Sequence, residues 1–199
     1  MAADLVTIIE TVAVTQFLTP GAKSLGEVAL ERGQRLATAA VQLLKNVGRE
    51  PQPVEPKLLV PLTQAAALET DETLSDKWAA LLANAADPAQ QVAVQPGFAE
   101  VLRQLTPTDT LVLDALGYPP GSRRDRVPSG RLMLKQFAYL NLPVGALTLS
   151  MDNLLRLRLC VAVPQRIAGV VPERPETPSE VISTAFGTQF LLACRVPTK

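Results

Sequence analysis

Residues 75–88, SDKWAALLANAADP, hold the single tryptophan of the chain, Trp78, within a run of alanines and leucines. Apolar residues recur here at i, i+4, i+7, i+8 and i+11, the spacing of one face of an α-helix; they are Leu74, Trp78, Leu81, Leu82 and Ala85. The preceding acids favour a helix start, because negative charge is stabilised at the helix N-terminus. Asp87 stands before Pro88 and so ends the helix. We interpret this segment as a packing helix with Trp78 as its core anchor.

Two polar features of the segment leave a functional interpretation open beside the structural one. Four acids, Glu69, Asp71, Glu72 and Asp76, cluster before and within the first turns of the helix. They could bind a metal ion, but a solvated helix start accounts for them more simply. Asn84 interrupts the apolar stretch, and a buried Asn requires hydrogen-bond partners. We therefore expect Asn84 to bond to backbone near the end of the helix.

The composition of the 199 residues favours helices. Apolar residues make up 47% of the chain and aromatic residues only 4%, so the core has to be built from Ala, Leu and Val, of which Ala and Leu form helices readily. The 19 basic and 19 acidic residues are unevenly placed. Residues 1–97 carry 7 basic and 11 acidic side chains, whereas residues 98–199 carry 12 and 8. This asymmetry suggests two units, the second slightly basic.

The absence of histidine from the whole chain excludes several kinds of site. A Ser-His-Asp triad, a Cys-His pair, a His-ligated metal and a histidine pH switch all require that residue. The two cysteines, Cys160 and Cys194, lie 34 residues apart among apolar neighbours and have no zinc spacing. We expect buried free thiols. There is no secretory start and no run of the ~20 apolar residues that a membrane span requires, which favours a cytoplasmic protein.

Helical spacing recurs through the first half of the chain. The predicted helices cover residues 4–18, 22–47, 58–68, 70–87 and 97–105. The proline-rich stretch 50–56 between them is predicted to be an extended linker, and Pro61 is predicted to lie in a first helical turn. The face of the long helix would bury Leu25, Val28, Ala29, Leu36, Ala40, Leu43 and Val47, with Glu31 and Arg35 paired on the exposed side. We divide this half into amphipathic helices at 1–49 and a helical unit at 57–105.

The second half, residues 106–199, has the element order of a winged helix. Thr106 as N-cap, Pro107 and Asp109 predict the start of a first helix that Gly117 ends. A second helix is predicted over residues 129–140 and a third from about residue 148 to 158. Strands are predicted in LCVAV at 159–163 and VISTAF at 181–186, with a loop at 164–179 and a short last helix at 188–194. The predicted fold is therefore mainly α, with a winged-helix-like C-terminal unit that carries a small β-hairpin.

Three stretches of the chain resemble the abortive infection alpha family of bacterial proteins. The family pattern W-A-x-L-L-A-N-A matches residues 78–85, and F-x-x-x-L-x-Q-L-(S/T)-P matches residues 98–107. The pattern T-x-F-G-x-x-F-x-x-A-C matches residues 184–194. Together the resemblance spans roughly residues 25–195. It implies a role in defence against phage, in which an infected cell stops growing or dies. It implies no catalytic residues.

Three hypotheses for function follow. The first is a non-enzymatic defence protein that acts through a protein partner or self-association; the helices within residues 4–47 could supply that contact or lie on a membrane surface. The second is a winged-helix nucleic-acid-binding regulator whose third helix enters the major groove. Its contact residues would be Arg123, Arg124, Arg126, Ser150, Asn153, Arg156 and Arg158. The third is an enzyme using Asp71, Glu72 and Asp76. We favour the first, with no catalytic residue, metal or cofactor predicted.

Overall fold

The computed structural model describes residues 23–89, 92–118, 131–163, 178 and 180–199. The helix predicted at residues 4–18 and nearly all of the loop predicted at 164–179 lie outside this description, as do Arg123, Arg124 and Arg126. The described residues are mainly helical and carry a small antiparallel sheet, so the predicted fold class is confirmed. They divide into two compact units.

Unit 1 is formed by the described residues up to Gln104 together with Ala193–Lys199. Its helices are α1 (Lys23–Asn46), α2 (Pro56–Ala66), α3 (Glu72–Ala85) and α4 (Gly97–Arg103). α1 packs against α3 and α2 against α4. Trp78 is 1% exposed in the middle of α3, which confirms it as a core anchor.

The buried face of α1 is turned slightly from the predicted one. Ala29, Leu36 and Ala40 are buried as predicted, whereas Leu43 is only partly buried and Leu44 takes its place in the core. The side chains predicted for this face at residues 25 and 28 lie outside the description. Small residues dominate the buried face, so a neighbouring helix can approach closely. The exposed pair of Glu31 and Arg35 forms as predicted.

The proline positions in α2 differ from the prediction. Pro56 occupies the first turn of the helix, and Pro61 lies in its interior. A proline inside a helix has no N–H to donate and normally bends or ends it. Here the helix continues, because Leu59 and Leu62 on either side of Pro61 are almost completely buried in unit 1. Tertiary packing therefore outweighs the local preference.

Unit 2 spans Leu105–Leu192. Its elements are α5 (Pro107–Gly117), β1 (Arg131–Met133), a 3₁₀ helix (Leu134–Leu140), α6 (Val144–Arg156), β2 (Cys160–Ala162), β3 (Glu180–Ser183) and α7 (Ala185–Ala193). The strand order is β1-β3-β2, with both pairs antiparallel. The predicted hairpin corresponds to β2 and β3, which pair Val161 with Ile182.

The prediction of a second helix in this unit, at residues 129–140, was wrong. Residues 131–133 instead form β1, whose Arg131 pairs with Ile182 of β3, and residues 134–140 form a 3₁₀ helix. β2 pairs with one edge of β3 and leaves the backbone N–H and C=O groups of the other edge unpaired. Residues 131–133 can bond to these groups only as a strand, and such tertiary pairing overrides local propensity. α6 also begins earlier than predicted, at Val144, directly after Pro143. The assignment as a winged helix stays a prediction.

Both cysteines are free and buried, as predicted. Burial raises the pKa of the Cys160 thiol to about 12. The thiol therefore stays protonated at neutral pH, and only the thiolate is a good nucleophile or metal ligand. Within the described residues, no helix is both long enough and apolar enough to cross a bilayer.

Candidate functional site

A buried carboxylate, Asp109, organises the junction between α5 and α6 in unit 2. The Thr106 hydroxyl accepts a hydrogen bond from the Asp109 backbone N–H at 3.2 Å, and the Asp109 carboxylate accepts one from the Thr106 N–H at 2.8 Å. This is the capping box that the sequence predicts. Asp109 also accepts from the Ser150 hydroxyl on Oδ1 at 2.5 Å and from the Asn153 amide on Oδ2 at 2.8 Å. One carboxylate therefore caps α5 and ties α6 to it.

A groove of about 580 Å³ lies over this junction. Its polar floor contains Asp109, Ser150 and Asn153, and its rim includes Ala146 and Leu149 of α6. Leu149 is 73% exposed, and Val144 at the start of the same helix is 82% exposed. Leu149 lies beside the charged side chains of Asp152 and Arg156 in the lining, and exposed apolar surface bordered by polar residues often marks a contact site. The groove is therefore the candidate functional site.

The residues predicted to contact nucleic acid lie in different environments in the structure. Ser150 is 2% exposed and donates its hydroxyl to Asp109, while the Asn153 amide also points to that carboxylate. Arg156 is exposed and donates to Asn153 Oδ1 through Nε and Nη2. Arg158 lies two residues beyond α6. Three of the seven predicted residues thus line the groove together, and nucleic-acid contact by any of them stays a prediction.

Arg158, two residues after the end of α6, has the left-handed backbone conformation, with φ of 58°. The N–H of Leu159 bonds to the carbonyl of Leu154, and that of Arg158 to the carbonyl of Leu155, both at 3.0 Å. This is a Schellman motif, in which glycine is the usual residue at the left-handed position. The sequence pattern did not reveal it, since arginine carries no signal for that conformation.

The residues that match the family ending have clear structural roles in unit 2. The Thr184 hydroxyl accepts from the Gly187 N–H at 2.8 Å at the start of α7 and donates to the Arg158 carbonyl at 2.7 Å. The Thr184 N–H bonds to the Leu159 carbonyl at 3.1 Å. A Cβ added to Gly187 would lie 1.9 Å from that same oxygen. This motif therefore docks α7 onto the end of α6.

Asn84 holds the C-terminal segment within unit 1. The two hydrogens of its Nδ2 are shared among the carbonyls of Ala80 at 3.0 Å, Ala193 at 2.8 Å and Arg195 at 2.7 Å. The expected bond to helix backbone is confirmed, and two further bonds reach residues more than 100 positions away. Asn84 and Ala193 belong to two separate stretches that carry the family resemblance, and the fold brings them into contact.

A second set of contacts that holds the C-terminal segment was not predicted from the sequence. Arg49 Nη1 lies 2.6 Å from Oδ2 of Asp87, a buried carboxylate, and its Nη2 donates to the Thr198 carbonyl at 2.8 Å. Asp87 was interpreted only as the residue that ends a helix. The pair is 38 positions apart, and no local pattern connects residues at that distance.

Replacing Asn84 with alanine is expected to lower the free energy of unfolding by about 2 kcal/mol, because buried carbonyls lose their donor. Asn84→Asp should cost more, since it points a carboxylate at those carbonyls. Urea denaturation would measure both, with amide exchange over residues 193–199 as a local readout. Asn46→Ala, at an exposed position on α1, is the control and should change stability by less than about 0.5 kcal/mol. Unchanged stability in Asn84→Ala would contradict the role assigned to this amide.

Two acidic side chains before α3 accept hydrogen bonds from backbone N–H groups at the start of that helix. Asp71 is the N-cap and accepts from the Leu74 N–H at 3.0 Å. Glu69 Oε1 accepts from the N–H groups of Thr70 and Asp71. In the part of the chain that the structure describes, no three Asp, Glu or Cys side chains are grouped closely enough to hold a metal ion.

The sequence model of the family described as abortive infection alpha matches residues 29–194, well over half of the chain. No curated protein and no solved structure matches. The family range includes α3, the capping box of α5, the groove and the motif that docks α7. The chain therefore belongs to the abortive infection alpha family.

Proposed function

We propose that the chain acts in abortive infection as a binding protein rather than an enzyme, and that the groove over α5 and α6 is its contact surface. The observation that carries the proposal is the high exposure of Leu149, a large aliphatic side chain that lines this groove. Leaving this side chain in water forgoes the stabilisation that burial would provide. A protein surface that covers Leu149 would recover that stabilisation.

The polar floor of the groove supports binding better than catalysis. Both oxygens of Asp109 accept hydrogen bonds from Thr106, Ser150 and Asn153. A carboxylate held in this way caps a helix and fixes two side chains, whereas a general base has to reach a substrate proton. The floor is therefore a rigid support for the exposed residues of α6. Preorganisation of this kind lowers the entropic cost of association.

The occupant we propose is a protein, either a partner or a second copy of the chain. The groove lining combines the exposed apolar side chain of Leu149 with the charged side chains of Asp152 and Arg156, all on α6. Protein–protein contacts commonly combine apolar and charged side chains, with arginine enriched among the charged ones.

Changing Leu149 to Asp is expected to abolish protection of cells against phage while leaving the protein folded. Truncating or charging a central apolar contact typically costs 2 kcal/mol or more of binding, roughly a thirtyfold loss of affinity. The measurement is survival of a culture that expresses each variant during infection, with Tm determined on the purified proteins. Sedimentation of the purified chain distinguishes the occupants: weaker self-association of Leu149→Asp indicates a second copy, and unchanged sedimentation indicates a partner.

The matched control is Leu68→Asp, which introduces the same charge at a leucine that is 66% exposed in unit 1. We expect this variant to protect cells as the wild type does. Full protection by Leu149→Asp, or equal loss in both variants, would refute the assignment of the groove.

A further inference from the structure

Unit 1 contains a cavity of about 400 Å³ beside Asn84, which shares no lining residue with the groove of unit 2. Its volume lies within the range of ligand pockets, ~300–1,000 Å³. The lining comes from residues around the start of α2, from the end of α3 and from residues 92–94 before α4. Most of it is aliphatic, supplied by Pro53, Val54, Leu58, Ala85, Val92, Ala93 and Val94. Apolar groups of a ligand would therefore be covered in this cavity.

The side-chain oxygen of Asn84 is an open acceptor on a nearly buried residue. Asn84 is 6% exposed and lines the cavity. Its Nδ2 is engaged by three carbonyls, but no described residue donates to its Oδ1. Solvent reaches this oxygen, because in the described part of the chain only the Trp78 indole nitrogen is both inaccessible and without a partner. An N–H group of a ligand in the cavity would satisfy Oδ1.

The backbone of residues 92–94 gives a second, independent indication of the ligand. These residues line the cavity and belong to neither a helix nor a strand. Within the described residues, the backbone N–H and C=O groups of Ala93 and Val94 form no hydrogen bond. An extended peptide pairs with a protein through unpaired backbone groups of this kind, while pockets beside them take its side chains.

The charge of the lining bears on the charge of the ligand. Glu55 is the only charged residue among the described residues that line the cavity. A ligand carboxylate or phosphate would find no basic partner there and would be repelled by Glu55. A neutral ligand with N–H donors and aliphatic side chains fits this lining better.

We propose that this cavity binds an extended, uncharged and apolar peptide segment of a partner protein. One backbone N–H of the segment donates to Asn84 Oδ1, and other backbone groups pair with those of Ala93 and Val94. The aliphatic side chains of the segment pack on the cavity wall that includes Val54 and Leu58. This binding is independent of the function assigned to the groove, since the two sites have no residue in common.

The test is a titration of the ¹⁵N-labelled full chain, followed in ¹H–¹⁵N spectra. The probe is acetyl-Ala-Val-Ala methyl ester. Its control is the same peptide N-methylated at all three residues, which keeps the side chains but has no N–H group. We expect the probe to shift the side-chain amide peaks of Asn84 and the backbone peaks of Ala93 and Val94, with half-saturation at or below about 1 mM. The control peptide should bind about tenfold more weakly, because Asn84 then stays without a donor.

Two variants place the same charge inside and outside the cavity. Val94 is a half-buried part of the lining, whereas Leu68 is 66% exposed and lies outside it. Val94→Asp should weaken binding of the probe about tenfold, and Leu68→Asp should leave it unchanged. The comparison of the two peptides uses the wild-type chain, so it decides the question even if Val94→Asp is unstable.

Three results would each overturn the proposal. The first is that the probe leaves the peaks of Asn84, Ala93 and Val94 in place up to about 10 mM. The second is that the N-methylated peptide binds as tightly as the probe, which would make the cavity an apolar site without peptide pairing. The third is that a folded Val94→Asp variant binds the probe as the wild type does.

Discussion

Replacing Gly187 with alanine is expected to lower the free energy of unfolding by more than about 4 kcal/mol, near the upper end of single-substitution effects. The added Cβ would stand 1.9 Å from the carbonyl oxygen of Leu159, 2.7 Å from its carbonyl carbon and 2.9 Å from its Cα. All three are backbone atoms, so no side-chain rotation relieves the overlap. The start of α7 has to move away from the end of α6.

That movement would also break the hydrogen bonds between Thr184 and residues 158–159. We expect the variant to lose cooperative unfolding of unit 2, with far-ultraviolet dichroism partly retained. Thermal and urea denaturation followed by dichroism would measure the loss.

Gly145→Ala provides the matched control, because a Cβ at that position of α6 would meet no atom within 4 Å beyond its chain neighbours and the backbone of its own helix. Alanine is the better helix former, so this variant should gain about 0.5–1 kcal/mol. Near-equal stability of the two variants would show that Gly187 is not required for the close approach.

The second large effect is expected at Asp109, whose replacement by alanine should cost about 3 kcal/mol. The variant loses a capping interaction worth about 0.5–2 kcal/mol and leaves two buried or half-buried donors, on Ser150 and Asn153, without their acceptor. Asp109→Asn should recover part of the loss, since its carbonyl oxygen still accepts. Urea denaturation would measure both variants.

Asp152→Asn is the control for this series, since that carboxylate is exposed on the same helix, α6. Its stability should stay within about 0.5 kcal/mol of the wild type. A loss at Asp109→Ala no larger than that of the control would refute the network. Loss of phage protection in Asp109→Asn in proportion to its loss of stability would support a structural role, whereas loss of protection at full stability would point to catalysis.

Local signals in the chain were sufficient to predict most helices. The apolar stripe around Trp78, the acidic start of α3 and the capping box of Thr106 with Asp109 depend on residues within one or two turns of each other. Such interactions are encoded by spacing, and spacing is visible in a sequence.

The sequence by itself therefore determined a mainly helical chain, the packing role of Trp78 and membership of the abortive infection alpha family. Only the tertiary structure decided that residues 131–133 pair with β3 as a strand, that Asn84 and Arg49 hold the C-terminal segment, and that Asp109 joins α5 to α6 beneath the groove. Those contacts connect residues from 38 to more than 100 positions apart. Because they form only when distant elements meet, no local periodicity records them, and backbone pairing at a free strand edge can override local preference.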